Sequence, residues 1–228
     1  MGKWIRSLND PELRLRLLIA LLSVVSFFLY FRGERINLND GTGADGSVYA
    51  AMIRDLHARN PDARFDEHRL SRFAPCWCVA KSMRFFHIPP TNPNIAQFMN
   101  LWNWAMLLLG IWAALEIGKG LRLSTQGKSL LVCALFVSFP YLKMAPYYPV
   151  LFDTTGATIG LWMFAAFLQR QLVVLLLSSA LGTLSWPTTI FVALPMRECP
   201  VNGHLFRCLR DSDEKLNRSD LRTPREIL

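Results

Sequence analysis

Charge is what this sequence lacks over much of its length. Only 18% of its 228 residues are charged, and these stand almost entirely between apolar runs. A surface helix of a soluble domain carries a polar face along its whole length, so the scarcity argues against an ordinary soluble fold. Cysteine is sparse too. The five cysteines are scattered, with Cys133 inside an apolar run, so no disulfide framework is implied. Cys76-Trp-Cys78 has no matching second pair, and Cys199, His204 and Cys208 make only part of a zinc knuckle. No metal and no cofactor is expected. The glycines of "DGTGADG" (residues 40 to 46) are not followed by Gly-Lys-Ser/Thr, as a P-loop requires. The carboxylate spacing and distal glutamate of a calcium loop are missing as well.

Apolar residues make up 52% of the chain, with seven tryptophans and fifteen phenylalanines, and they cluster in runs that approach bilayer length. The net charge is +8, but the basic residues flank these runs and form no single stripe. Lys and Arg so placed report topology and contact with lipid headgroups, so nucleic acid is not an expected partner and membrane lipids are.

The expected fold is all-α, a polytopic transmembrane bundle of about five spans with one long extracytoplasmic loop. The first run, Leu17 to Phe31, ends in bulky residues with no cleavage-site pattern, which reads as an uncleaved anchor. Lys3, Arg6, Arg14 and Arg16 precede it and place the N-terminus in the cytoplasm. The spans fall at about residues 15–31, 98–117, 129–142, 154–168 and 172–194 of a transmembrane domain covering residues 1–194. Lys119, Arg122, Lys128 and Arg170 mark the inner side. The third run is short and reads as a short span, with a re-entrant segment as the other possibility. Gly156 and Gly160 are spaced for close helix packing, and Pro187 predicts a kink in the fifth span. Residues 195–228 form a charged tail with little periodicity, from which little regular structure is expected.

The outer loop, residues 32–97, has its own pattern. Val48, Tyr49, Met52, Ile53 and Leu56 share a helical face after Asp45 or Ser47 as a cap. A second short helix begins near Pro75, with Trp77, Ala80 and Met83 facing one way, and Asn92-Pro93 starts the next span. Amphipathic helices so placed lie on the membrane surface or against neighbouring spans. This topology gathers Asp40, Asp45, Arg72, Lys143 and Asp153 at one outer face. A carboxylate there can serve as general base toward a hydroxyl, and cations can hold a phosphate leaving group. The plainer alternative is that Gly and Asp make turns and Asp45 caps a helix.

A basic N-terminus, one anchor, "DGSVYAAM" and then "RLSRFAPCWCVA" resemble bacterial polytopic proteins of the GT-C glycosyltransferase type. In many of these a "DG..Y" element follows the first span and an "R..P" element precedes the second. The resemblance implies an inner-membrane protein that transfers a sugar from a polyprenyl-phosphate donor at the outer face. Carried over residue by residue, it implies Asp45 as catalytic base and Arg72 as a phosphate contact. Lys143 and Asp153 are the further substrate-binding candidates by topology. The family usually has eight or more spans, and a truncated member would account for the count here. The alternative is a non-enzymatic small membrane subunit or an inactive fragment, in which Gly156 and Gly160 matter more than the carboxylates.

Overall fold

The computed structural model describes residues 10–60, 65 and 72–185. Among these residues every regular element is helical. Helix α1, Pro11–Arg32, opens with Pro11 in its first turn, and the Asp10 carboxylate accepts from the Glu12 N–H at 3.0 Å. Helix α2 is Ala44–Ala58 and α3 is Phe73–Phe85. The long α4, Asn92–Gly120, starts where Asn92-Pro93 predicts, with Thr91 as its N-terminal cap residue. Helix α5, Thr125–Val137, is capped by Ser124, whose hydroxyl accepts from Gly127 N–H at 3.2 Å. A π-helical turn, Pro140–Met144, leads into the short α6, Ala145–Tyr147, and then come α7, Asp153–Leu168, and α8, Leu172–Thr183.

Helix α4 is central and packs against α1, α3, α5 and α7, while α8 packs on α7. Cross-links fix the direction of each helix. Asn100 of α4 donates to Tyr30 O at 2.7 Å, near the end of α1, and Thr125 of α5 donates to Glu12 at the start of α1 at 3.1 Å. Trp102 donates to Thr155 at 2.9 Å, and Gln169 to Glu116 Oε2 at 2.9 Å, so α4 and α7 run parallel. The five longest apolar segments therefore alternate in direction along the chain. One end of the bundle collects Glu12, Glu116, Thr125 and Gln169. The other collects Tyr30, Asn100, Thr155, α2 and α3.

Large apolar side chains cover the outside of the bundle as well as its core. Leu21 and Phe28 of α1, Leu130 and Val137 of α5, and Val173 and Leu177 of α8 are each about 60% exposed or more. Polar groups meanwhile pair inside: Tyr30 donates to Tyr141 O at 2.9 Å, the Tyr141 and Thr158 hydroxyls lie 2.6 Å apart, and Thr158 donates to Met106 O at 3.0 Å. Apolar side chains outside and hydrogen-bonded hydroxyls inside suit a hydrocarbon solvent.

Several expectations are corrected. By length and apolarity α1 and α4 suffice to cross a bilayer, or three segments if α5 and its continuation to Tyr147 form one span bent by 47°. With 16 and 12 residues, α7 and α8 rise about 24 and 18 Å, short of a hydrocarbon core of roughly 30 Å. Among the described residues, length and apolarity alone support two or three spans, where about five were expected. The third run is neither straight nor uniform, because Pro140 lacks an N–H and the ladder breaks at Ser138. Gly43, not Asp45 or Ser47, is the cap residue of α2, with no side-chain cap. Helix α3 starts two residues before Pro75, and its buried face is Cys76, Val79, Ala80 and Met83, with Trp77 turned outward. Around Gly160 a Cβ would meet nothing within 4 Å, so among the described residues no helix packs closely there. Pro187, the Cys199–His204–Cys208 group and the charged tail lie outside the described residues.

Candidate functional site

The candidate site lies at the bundle end that carries α2 and α3. Residues 39 to 43 bring the chain from α1 into α2 through a tight turn. Gly41 and Gly43 have φ of +90° and +79°, conformations that side chains with a Cβ rarely adopt. The turn closes on itself: Gly43 N–H donates to Leu38 O at 2.9 Å, Thr42 Oγ1 to Asn39 O at 2.9 Å, and Asn39 Nδ2 to Gly43 O at 3.0 Å. Ile36 N–H donates to Tyr147 O at 3.1 Å and moors the loop to α6. A Cβ on Gly46 would come within 3.1 Å of Val150 Cβ, so glycine lets α2 lie close against the segment that leads to α7.

Asp45 is therefore the second residue of α2 and is solvent-exposed. The unpaired N–H groups of a first helical turn favour a carboxylate there. One turn further on, Tyr49 is buried and central. Arg72 Nη1 donates to the Tyr49 hydroxyl, and its guanidinium carbon lies 5.3 Å from the ring centroid. Phe152 meets the same ring edge-on at 4.7 Å and 82°. Burial pushes the Tyr49 hydroxyl above its ordinary range, the Arg72 charge pulls it down, and the Asp45 carboxylate adds to the rise. Asp45 and Arg72 thus act on one phenol with opposite sign.

The other candidates are placed less closely. Asp153 is the first residue of α7, half-buried, next in sequence to the Phe152 that packs on Tyr49. Lys143 is exposed, with Nζ 4.4 Å from the Tyr147 ring centroid. Asp40 stands exposed in the turn at φ +53°. The site's hub, Tyr49, was missed by sequence reasoning, although its spacing of four residues from Asp45 puts it on the same helical face. Arg84 was missed too. It donates from Nε to His57 O at 3.0 Å and from Nη2 to Leu56 O at 2.5 Å, closing the carbonyl end of α2.

Cys76 is fully buried, and burial pushes its thiol up to about 12 against the lowering effect of Arg72. Burial also raises Cys78. Neither thiol is poised as a nucleophile, since the reactive form is the thiolate. Among the described residues no group of three His, Cys, Asp or Glu side chains is arranged to hold a metal ion. No family model, no curated protein and no solved structure matches this chain.

Proposed function

We propose that this is an integral membrane protein whose five apolar segments all cross the inner membrane, with α2 and α3 on the outer face. Alternation of helix direction along the chain supports five crossings, with α7 and α8 accommodated by tilt or local thinning of the bilayer. Arg14, Arg16, Lys119, Arg122, Lys128 and Arg170 belong to the bundle end away from α2, which supports a cytoplasmic N-terminus. Reporter fusions near residues 60 and 124 should read outside and inside, respectively.

On that face the chain transfers a sugar from a polyprenyl-phosphate donor, with Asp45 as general base. One observation carries this reading: an exposed carboxylate in a helix first turn, one turn from a buried tyrosine whose hydroxyl accepts from a guanidinium. Asp45 takes the proton from an acceptor hydroxyl, whose oxygen bonds to the anomeric carbon. The bond from that carbon to the donor phosphate breaks, and the polyprenyl phosphate leaves. Arg72 balances the phosphate charge, and Lys143 and Asp153 line the same end of the bundle. The test is transfer of labelled sugar by the purified full chain in lipid nanodiscs. Absence of transfer across a panel of polyprenyl-phosphate sugars rejects the reading.

A second reading is favoured by Gly160, where no described residue comes within 4 Å of the Cβ position on α7. In a non-enzymatic membrane subunit, a helix of another protein packs there.

A further inference from the structure

The opposite end of α2 carries a different feature, about 20 Å along the helix from Asp45. Between α2 and α3 a cleft of about 290 Å³ opens, lined in part by Asp55, Arg59, Phe65, Trp77, Lys81 and Arg84. Arg84 is already engaged by the carbonyl oxygens of Leu56 and His57, so its charge answers the negative end of α2. Arg59 and Lys81 are both exposed and line the cleft together with the carboxylate of Asp55. Lys81 Nζ lies 5.5 Å from the Trp77 ring centroid.

Lys81 shares the outer face of α3 with Trp77 and Phe85, four residues away on either side. Phe85 is 77% exposed and the following Phe86 is 61% exposed. The inner face of the same helix is fully used, with Cys76, Val79, Ala80 and Met83 in the core. The position of α3 relative to the apolar belt is also fixed. Ala74 N–H in its first turn donates to Leu184 O at 3.2 Å, directly after α8, whose Val173, Leu177 and Leu181 are exposed. The first turn of α3, with Trp77 next along its outer face, therefore lies beside the end of the apolar helix α8. Tryptophan and phenylalanine belong among acyl-chain ends at that level, with basic groups reaching the headgroups.

We propose that the cleft between α2 and α3 seats the phosphate headgroup of an anionic membrane phospholipid. Arg59 and Lys81 contact the phosphate while Trp77 and Phe85 lie among the upper acyl carbons. The site depends on membrane embedding and not on sugar transfer, so an Asp45→Asn protein keeps it.

The test uses the full chain in phosphatidylcholine nanodiscs doped with brominated lipid. The quenching due to Trp77 is read as the difference between the wild type and Trp77→Phe. Brominated phosphatidylglycerol should quench Trp77 at a several-fold lower mole fraction than brominated phosphatidylcholine. Each basic residue near a membrane surface contributes about fivefold, so an Arg59→Gln/Lys81→Gln protein of unchanged helix content should lose the preference. Equal quenching by the two lipids overturns the proposal, as does a preference that survives the double substitution. Displacement of the preference by excess inorganic phosphate also overturns it, since the site would then recognise a free anion.

Discussion

The Tyr30 hydroxyl donates a hydrogen bond to the main-chain oxygen of Tyr141 at 2.9 Å, across 111 residues of sequence. That oxygen belongs to the π-helical turn, where Pro140 disrupts the regular ladder and carbonyls need other donors. Tyr30→Phe keeps the ring and removes the donor. A loss of about 1 kcal/mol in thermal or denaturant unfolding in detergent is expected, the order found for buried interhelical hydrogen bonds in membranes. An unchanged midpoint would mean that this turn finds another donor.

The helices were more legible than the joints between them. Asn92-Pro93 marks the start of α4 because proline at the first turn costs no hydrogen bond, and α7 begins one residue before the expected Thr154. The break after Val137 was hidden, since "VSFPYLKM" keeps the apolar character of its neighbours and hydropathy alone does not see a missing N–H. The rotation of α3 was hidden for a related reason. In water Trp77 belongs in the core, whereas beside an apolar belt an exposed tryptophan carries no such penalty. At the candidate site, Asp45 and Arg72 were singled out from the expected topology and the family resemblance. Their common partner Tyr49 was not, because it reads equally well as one more core residue of an amphipathic helix.

Thiol chemistry separates the two cysteines of α3. With burial pushing Cys76 from 9.0 up to about 12, its thiolate is about a thousandfold scarcer at pH 8 than that of an unperturbed thiol. The sign follows from the raised value. Below pH 9 folded and unfolded chains both hold the proton, and as pH rises from 9 toward 12 only the unfolded chain releases it, so this group costs stability in that window. In proteins that retain one cysteine each, maleimide should modify Cys78 well before Cys76 at pH 8. Modification of Cys76 should require denaturant. Equal rates in the folded protein would show that the Cys76 pocket opens readily.

Gly160 gives a prediction that separates the two functional readings. Its Cβ position meets nothing within 4 Å, so Gly160→Ala should raise the unfolding midpoint through helix propensity, by about 0.5–1 kcal/mol. Gly160→Leu should be equally harmless to the isolated chain. In a subunit that packs a foreign helix at this point, Gly160→Leu should abolish co-purification of that partner. In a self-sufficient transferase it should change neither assembly nor activity.

The last prediction concerns Asp45 itself. Asp45 and Asp40 are both exposed and five residues apart, yet only Asp45 stands in the helix turn that leads to Tyr49 and Arg72. Removing a general base costs about 10²-fold or more in rate, while removing a turn carboxylate costs none. Asp45→Asn should therefore lower sugar transfer at least about a hundredfold with insertion and helix content unchanged, and Asp40→Asn should stay near wild-type activity. Asp45→Glu keeps the proton acceptor on a longer arm and should recover part of the rate. Asp45 is not the side-chain cap of α2, so the asparagine variant should unfold within about 0.5 kcal/mol of wild type. A rate loss matched by an equal loss of folded protein would assign Asp45 to stability. Full activity in Asp45→Asn would remove it from the chemistry and leave the open face at Gly160 as the better guide to what this protein does.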